Sequence, residues 1–450
     1  MAEQHLYKRS LRTDETYDLV VCGGGPAGCA AAVQAARLGL RTLLLESTAN
    51  LGGMGTSAYV SQWSHCANGE HPVIGGFILE LIEELFRRGH LQPGVTEERW
   101  TRDYNRGFGF DPEALKRLLD EKCLEAGVEL RFFTRIVDAE TDATQKSIHG
   151  LITHDVEGLR FIPARTVIDA TGDAIVADAA GIPYEQAGRE TQNIMPPTLC
   201  GLIGNVDFST FDRRRDQEAA LEKALDEKFF SQPDRHVPGL FRAGDTHGTL
   251  NAGHLFHTDA VNTQSLSQAL IKGRKLAEEY TDFHRKYLSG CEQARLLTTG
   301  HLLGVRESRR VVGEYSLNID DYLARRTFPD QIAIYCKQVD IHVYDLSEKE
   351  YQRYNEEFNN PKRILQPGEY FGVPYRILVP KGWKNLWVVG RCASTDVKVN
   401  GSLRDQPACS MMGQAAGAAA FLALRDKQEA PSLKTENLRK LLREHQANLP

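Results

Sequence analysis

The chain has 450 residues, of which 41% are hydrophobic and 25% charged, the composition of an ordinary soluble globular protein with more than one domain. Its formal net charge of −6 argues against a nucleic-acid binder, because such proteins carry a strongly basic surface. No apolar run approaches the roughly 18 residues of a membrane helix, and the polar N-terminus contains no secretory signal. Nine scattered cysteines without a CxxC motif fit a reducing compartment, so we expect a cytoplasmic protein.

The first fifty residues predict a complete βαβ unit. Residues 17–21 are apolar and β-branched, which is typical of a buried parallel strand. Residues 26–38 predict a helix in which Pro26 occupies the first turn, where its missing N–H does no harm. Residues 41–46 predict the next strand.

Further along the chain, regular elements alternate with less regular ones. We predict an amphipathic helix over 74–88, a helix that begins after Asp111 and ends at Gly127, strands over 128–137 and 166–174, a charged helix over 212–228, a strand over 385–390 and a helix over 406–425. The pattern of a dinucleotide-binding fold thus brackets a more irregular middle. We therefore predict an α/β protein whose Rossmann-like cofactor-binding domain carries an inserted α+β substrate domain.

The predicted domain boundaries follow this alternation. The cofactor-binding domain is assigned in three parts, with one short capping or substrate segment and one large substrate domain between them. The boundaries are 1–62 for the first part, 63–107 for the capping segment, 108–190 for the second part, 191–380 for the substrate domain, and 381–450 for the last part with the C-terminal helix.

The most specific motif is G-x-G-x-x-G between the first strand and the first helix, formed by Gly23, Gly25 and Gly28. In this motif the first glycine permits a tight turn, the second lets a pyrophosphate approach the backbone, and the third lets helix and strand pack closely. The diphosphate then lies at the helix N-terminus. Glu46 follows 18 residues after Gly28, where an acid accepts hydrogen bonds from a ribose. The motif predicts a dinucleotide but does not separate NAD from FAD.

Other glycine-containing segments favour FAD. Leu51-Gly52-Gly53-Met54-Gly55 follows the acid, ATGDA (170–174) ends a later strand, and a strand and a small-residue helix close the chain. This combination resembles the flavoproteins of the glutathione-reductase-like superfamily, which have two dinucleotide-binding domains. The resemblance implies that Glu46 holds the adenosine ribose, that Val137 passes the adenine, and that Gly172 and Asp173 lie beside the cofactor.

A second resemblance covers most of the chain. The segments that carry it are 75–85, 111–130, 304–315, 373–391 and 401–420, with Arg306 to Arg310 (RESRR) as the most specific. They are similar to the FAD-dependent oxidoreductase family of bacterial enzymes. The resemblance implies a tightly held FAD and a redox activity but no substrate. The chain departs from the family at Asp405 and Gln406, where apolar residues are usual.

The predicted cofactor site collects these motifs with the start of the last helix, whose positive end would face a reduced flavin. Its residues are Gly23, Gly25, Pro26, Ala27, Gly28, Glu46, Ser47, Gly52, Gly53, Met54, Val137, Ala170, Thr171, Gly172, Asp173, Gly390, Arg391, Met411, Met412 and Gly413.

For the substrate side we predict Arg306, His342, Arg404 and His254 as catalytic residues, because a flavin dehydrogenase needs an acid or base near N5 and a cation for an anionic substrate. His342 lies in VDIHVYD, which predicts a strand. Three adjacent side chains cannot share one direction, so some of Arg306, Arg309 and Arg310 must form structural ion pairs. No HExxH or similar spacing is present, and no metal site is predicted.

These residues predict an FAD-dependent dehydrogenase or reductase that transfers a hydride between a small organic substrate and flavin N5. Two alternatives stay open: a flavin monooxygenase that uses NAD(P)H and O2, and an RNA-modifying or redox-inactive FAD-binding protein. The expected partners are a small-molecule substrate, an unidentified electron acceptor or donor and a second copy in a homo-oligomer, without nucleic acid or membrane.

Overall fold

The computed structural model describes residues 8–104, 106–191 and 193–450. The strands are β1 (Arg12–Thr13), β2 (Tyr17–Cys22), β3 (Thr42–Leu45), β4 (Gln62–Trp63), β5 (Phe108–Gly109), β6 (Glu129–Arg131), β7 (Arg135–Asp142), β8 (Ser147–Asp155), β9 (Gly158–Asp169), β10 (Tyr184–Gln186), β11 (Gly201–Gly204), β12 (Gly239–Arg242), β13 (Gly248–Asn251), β14 (Arg295–Thr299), β15 (Arg309–Val311), β16 (Gln331–Tyr335), β17 (Phe371–Pro374) and β18 (Leu386–Val388). The α-helices are α1 (Pro26–Arg37), α2 (Phe77–Arg87), α3 (Glu98–Thr101), α4 (Pro112–Glu125), α5 (Ile175–Ala179), α6 (Arg213–Asp226), α7 (Thr263–Tyr287), α8 (Ile319–Leu323), α9 (Glu348–Phe358), α10 (Val397–Leu403), α11 (Gln406–Asp426) and α12 (Thr435–Glu444). Short 3₁₀ turns span Gly53–Gly55, Tyr375–Leu378, Gly390–Cys392 and Ala430–Ser432.

The central sheet is parallel in the order β6-β3-β2-β9-β18. Its inner strands are buried on both faces, which explains the uninterrupted apolar runs in their sequences. Cys22 pairs with Leu45 on one side and with Asp169 on the other, and Asp169 also pairs with Val388. Four strands therefore end at the same level, and the residues that follow them share one edge. This architecture confirms the predicted Rossmann-like α/β fold.

The strand β9 is 12 residues long and pairs with different neighbours along its two halves. Its second half pairs with β2 and β18, while its first half pairs with β8, which continues to β7 as an antiparallel hairpin. The prediction of one strand over 128–137 is wrong. Phe133 has a left-handed backbone with φ +53°, so the chain turns there, and β6 and β7 are separate strands in different parts of the sheet.

The helices α1 and α11 cross in very close contact on one face of the central sheet. A Cβ atom placed on Gly413 would lie 1.9 Å from the carbonyl oxygen of Ala27, and one on Gly417 would lie 2.3 Å from that of Ala31. Gly413 and Gly417 are four residues apart on α11, and Ala27 and Ala31 are four residues apart on α1, so each pair lies on one face of its helix. The small-residue sequence of α11 thus lets two backbones approach each other.

The segment between 199 and 303 has a hydrophobic core of its own. Its four-stranded antiparallel sheet has the order β12-β13-β11-β14, and α6 and α7 pack against it. Aromatic side chains of Phe230, Tyr280 and Phe283 form the centre of this core.

The remainder of the predicted substrate domain packs differently. Buried residues of 317–379, such as Tyr322, Tyr335 and Phe371, belong to the same core as α1, α2 and α11. Residues of the predicted unit over 191–380 therefore pack in more than one core, and its boundaries stay a prediction. The irregular sequence pattern of this region indicated an insertion but did not show with which core each part packs.

The helix α11 is long and apolar enough to cross a membrane by composition, with a mean hydropathy of 1.3. However, 89% of its most apolar 18-residue window is buried inside the protein. Its apolar face is thus used for packing against α1 and neighbouring elements.

Candidate active site

The carboxyl edge of the parallel sheet brings together glycine motifs that are far apart in the sequence. Gly23 follows β2, Ala170 follows β9, and Gly390 lies two residues after β18. Gly23 has φ +98°, and a Cβ atom there would lie 2.6 Å from the carbonyl oxygen of Ala170. A Cβ atom on Gly28 would lie 1.8 Å from the oxygen of Gly23. Two positions of the G-x-G-x-x-G motif are therefore required by the packing of the fold itself.

The middle glycine of the motif has a different environment. A Cβ atom on Gly25 would meet nothing within 4 Å. Gly25 is the N-cap of α1, and within the described part of the chain no side chain caps this helix and no acid occupies its first turn. The open space and the uncapped N–H groups fit the pyrophosphate of FAD, which binds at such helix N-termini.

Glu46, at the end of β3, lies beside this turn and is largely buried. Its Oε2 accepts a hydrogen bond of 2.7 Å from the Gly24 N–H, and its Oε1 accepts one of 2.7 Å from Thr48 and one of 3.3 Å from the Ser47 hydroxyl. These bonds hold the carboxylate in place and leave lone pairs for ribose hydroxyl groups. The geometry fits the predicted ribose role.

The loop that contains Gly52, Gly53 and Met54 packs directly on the glycine motif. The Gly52 N–H donates to the Gly24 carbonyl over 2.8 Å. A Cβ atom on Gly53 would lie 3.1 Å from the Gly25 Cα, and Met54 accepts a hydrogen bond from the Val60 N–H. The structure thus places Gly52 and Gly53 beside the N-terminus of α1, with Met54 next to them in the same loop.

On the other side of the turn, Arg391 and Asp173 form a partly buried ion pair with an N–O distance of 2.6 Å. Arg391 also donates through Nε to the Gly172 carbonyl over 2.8 Å and through Nη1 to the Val305 carbonyl over 3.0 Å. The hydroxyl of Thr171 donates to Asp169 over 2.7 Å. The four predicted residues 171–173 and 391 therefore form one ordered wall of the site.

The predicted contribution of the last helix needs a correction. The helix α11 begins at Gln406, so Met411, Met412 and Gly413 lie in its second turn and do not provide the free N–H groups of its start. Gly413 packs on the backbone of Ala27, as described above. Gln406 lies at the first turn, where its side chain donates to the Val60 carbonyl over 2.7 Å.

The remaining predicted cofactor residue lies further away along the sheet. Val137 is on β7 with 53% of its side chain exposed. The residues that contact the Glu46 segment are Phe133 and Thr134, whose N–H groups donate to Thr48 and Glu46. The adenine role of Val137 stays a prediction.

The predicted catalytic residues lie in a buried polar cluster formed by three separate segments. His254 Nδ1 is 2.7 Å from Asp234 Oδ2, and His254 Nε2 is 3.0 Å from His342 Nδ1. On the far side, His342 Nε2 is 3.5 Å from Asp340 Oδ1. His342 lies in an irregular segment, so the predicted strand over VDIHVYD is wrong. Side-chain contacts to His254 and Asp340 hold its ring instead.

The cluster continues from Asp340 toward the start of α11. Asp340 lies 3.3 Å from an Arg404 nitrogen and 3.5 Å from Lys337 Nζ. Lys337 also bonds Asp405 over 2.6 Å, and Asp405 accepts hydrogen bonds from Ser64 and Tyr335. Asp405, one of the departures from the family pattern, is thus part of this network.

Burial sets the protonation of the cluster. Burial lowers the pKa of His254 and of His342, and lowers that of His236 to about 4, so the three imidazoles are neutral at pH 7. Burial is the largest influence on Asp234 and would raise its pKa, but the contacts with His254, the His236 N–H and Tyr351 together keep the pKa below the ordinary value.

Arg306 lies next to the imidazoles and is almost completely buried. Its Nη1 donates to the Pro196 carbonyl and, over 3.2 Å, to the Thr198 hydroxyl. Burial, followed by repulsion from Arg404, lowers the pKa of Arg306 to about 10. The other arginines of the RESRR segment point elsewhere: Arg309 pairs with Asp178 and Arg310 with Glu190, which confirms that some of them form structural ion pairs.

The sequence prediction missed Asp234, His236, Asp340 and Lys337. A repeated signal was present, because Asp234 and His236 have the same D-x-H spacing as Asp340 and His342. Neither D-x-H pair matches a known ligand spacing by itself. Only the fold brings the two pairs together, with His254 between Asp234 and His342.

Comparison with known proteins agrees with these observations. A digeranylgeranylglycerophospholipid reductase of Methanothermobacter thermautotrophicus is 28% identical over 188 residues, 42% of this chain and 46% of the reductase. A mitochondrial dihydrolipoyl dehydrogenase of Caenorhabditis elegans is 49% identical over 45 residues, 10% of this chain and 9% of the dehydrogenase. The chain thus spans less than half the length of these curated relatives. A solved geranylgeranyl bacteriochlorophyll reductase-like protein of Thermoplasma acidophilum aligns over 96% of this chain and 84% of its own, at 15% identity and a TM-score of 0.49.

The model of the family described as FAD dependent oxidoreductase matches residues 18–442. The chain therefore belongs to the FAD-dependent oxidoreductase family and is an enzyme with FAD as its cofactor.

Proposed function

We propose that the enzyme is a dehydrogenase or reductase for a small organic substrate that carries a carboxylate or another anionic oxygen. FAD, when bound, supplies the hydride acceptor or donor. The chain's own residues bind the anionic group, keep water out and hold the substrate at the sheet edge.

The observation that carries this proposal is the buried cation of Arg306. Among residues 8–104, 106–191 and 193–450, no carboxylate lies within ion-pair distance of its guanidinium. Its recorded partners are a carbonyl and a hydroxyl, both bound through Nη1. An unpaired buried charge is costly, and its remaining donors fit the two oxygens of a carboxylate. A substrate anion would complete this site.

The position of Arg306 favours a substrate rather than a structural anion. Its neighbour Val305 accepts a hydrogen bond from Arg391, and Ser308 donates to the Gly172 carbonyl over 3.1 Å. The segment that carries the guanidinium therefore rests on the wall of the cofactor site. An anion bound by Arg306 would lie between this wall and the buried imidazoles.

The finer assignments are proposals as well. We infer membership of the glutathione-reductase-like superfamily, supported by the order β6-β3-β2-β9-β18 and the Gly23 to Gly28 motif. We also infer a cytoplasmic enzyme that acts without nucleic acid or membrane, supported by the net charge of −6 and the burial of α11. A homo-oligomer remains part of the proposal.

The experiment that tests the function is anaerobic reduction of the bound flavin. The purified enzyme is mixed with a panel of hydroxy acids and amino acids, each beside a neutral analogue in which an amide replaces the carboxylate. We expect loss of flavin absorbance with at least one acid and not with its amide. Reduction by neutral compounds alone would contradict the proposed role of Arg306.

The same setup separates the alternatives. Rapid NADPH oxidation that consumes O2 and yields a hydroxylated product would identify a monooxygenase. A flavin that dithionite cannot reduce would identify a redox-inactive protein.

A further inference from the structure

Two imidazoles of the cluster face each other, and each has a carboxylate behind it. His254 Nδ1 lies 2.7 Å from Asp234, His254 Nε2 lies 3.0 Å from His342 Nδ1, and His342 Nε2 lies 3.5 Å from Asp340. A carboxylate accepts only, so an imidazole that directs its single N–H to its carboxylate has a lone pair on its other nitrogen. The two inner nitrogens, His254 Nε2 and His342 Nδ1, are then both acceptors and need a shared partner.

A cation between the two rings would be such a partner. Each imidazole then directs its single N–H to its own carboxylate, and both inner nitrogens present lone pairs to the cation. Imidazoles held by a carboxylate in this way are typical of metal ligands in proteins. The carboxylates Asp234 and Asp340 add two negative charges behind the rings.

A third imidazole lies at the same place. The ring of His236 stacks on that of His342, with centroids 4.8 Å apart and an interplanar angle of 25°. Its Nδ1 is buried without a hydrogen-bond partner. Ligand nitrogens of His236, His254 and His342 all lie within 4.8 Å of one another. His236 and His342 lie in two separate loops and His254 lies three residues after β13, so their convergence is a property of the tertiary fold.

We propose that His236, His254 and His342 bind one divalent first-row transition-metal ion such as Zn²⁺. Nitrogens around a tetrahedral zinc at ~2.0–2.1 Å lie roughly 3.4 Å apart, so the rings need only modest side-chain movement. Three protein ligands leave a fourth position open, as in catalytic zinc sites. Arg306 and Arg404 oppose a cation at this place, and a bound substrate anion would relieve that repulsion.

This inference goes beyond the proposed function and does not depend on it. Metal binding requires only the three imidazoles, whereas the dehydrogenase proposal rests on Arg306. The two can therefore fail separately.

The test measures metal content and affinity of the FAD-loaded enzyme. The enzyme is stripped with a chelator, dialysed against Zn²⁺ and then against metal-free buffer, and analysed by elemental mass spectrometry. Titration calorimetry with Zn²⁺ and with Co²⁺ gives the affinity. We expect about one ion per chain. A wild-type enzyme that retains no stoichiometric ion and gives no binding heat would overturn the proposal, and the contact between His254 and His342 would then be a direct hydrogen bond.

Variants locate the site. His236→Ala and His342→Gln should each reduce Zn²⁺ affinity at least tenfold, and Asp234→Asn should reduce it roughly 10- to 100-fold, because it orients His254. His154→Ala, at an exposed position on β8, is the matched control and should bind like wild type. Because His236 is less buried than the other two, its variant is the one expected to fold normally, as judged by FAD content. Unchanged affinity in a folded His236→Ala and His342→Gln would place any bound ion elsewhere and refute the site.

Discussion

The two halves of the active site are built by different means. The cofactor edge is made of backbone: Gly23, Gly28 and Gly413 each allow a main-chain approach that a single Cβ atom would prevent. The substrate side is made of long charged or aromatic side chains, with Asp234, His254, His342 and Arg306 contributed by distant segments. Backbone contacts tolerate no added atom, whereas a side-chain network can lose a member and keep its fold. Substitutions should therefore affect stability on the first side and function on the second.

The largest effect is expected from Gly28→Ala. Its methyl group would lie 1.8 Å from the Gly23 carbonyl oxygen, where both partners are backbone and neither can move away cheaply. We expect a loss of about 3 kcal/mol or more in unfolding free energy, at the upper end for overpacked sites, together with loss of FAD. Chemical denaturation measures it. A wild-type denaturation midpoint would contradict the backbone argument.

Gly25→Val separates cofactor binding from folding in the same motif. The space around Gly25 is open, so the variant should keep the denaturation midpoint of the FAD-free wild-type protein. The added side chain would occupy the approach of the pyrophosphate, and a clash of that kind costs roughly 1–3 kcal/mol or more. We expect a colourless protein after gel filtration. A yellow Gly25→Val protein would show that the pyrophosphate lies elsewhere.

Arg306→Ala tests the opposite side of the comparison. We expect FAD to remain bound and reduction by the acidic substrate to fall by a factor that corresponds to about 2–5 kcal/mol, as for loss of a buried charge partner. Stability should not decrease, because the variant removes a buried cation without a carboxylate partner. Arg306→Lys is the matched control and should recover part of the rate. Loss of FAD in Arg306→Ala would make this arginine part of the cofactor site.

Arg391→Lys should affect both sides at once, because Arg391 joins them. It donates hydrogen bonds to Gly172 and Asp173 at the cofactor edge and to Val305, the residue before Arg306. A lysine keeps the charge but cannot make the three bonds together. We expect a loss of roughly 1.5–3 kcal/mol in the free energy of FAD binding, the value of one hydrogen bond to a charged group. The FAD affinity, measured by fluorescence titration, and the rate of flavin reduction should both fall. An effect on only one of the two would show that the regions are independent.

The smallest effect is expected at the surface ion pairs of α2. Hydrogen bonds from Arg87, followed by Arg88, lower the pKa of Glu84 from 4.5 to about 2. The resulting stabilisation is present above about pH 4.5 and is lost as the pH falls toward 2. Because the arginines are exposed, Glu84→Gln should cost less than about 1 kcal/mol at pH 7. Denaturation at several pH values should show this difference shrinking in acid.

Local patterns in the sequence predicted most of the cofactor half. Gly23, Gly25 and Gly28 are neighbours in the chain, and the apolar strand before them and the acid after them have fixed spacings. Each of these features acts within a few residues, so the order of the amino acids contains the information. The helix α11 begins at Gln406 as predicted, but Met411, Met412 and Gly413 were wrongly assigned to its N-terminus. The break at Phe133 was missed, because it depends on packing between distant elements.

The substrate side of the active site could be predicted only in part from the sequence. Arg306, Arg404, His254 and His342 were identified as candidates, but their mutual contacts were not, and His342 was assigned to a strand that does not exist. The ring of His342 is positioned in part by His254, which lies 88 residues away in the sequence. No short-range pattern records such a contact. Local sequence patterns thus determined the fold class and the backbone turn that fits FAD. The tertiary fold alone brings together the buried histidines, their two carboxylates and the unpaired guanidinium, because these residues lie far apart in the sequence and become close only when the chain folds.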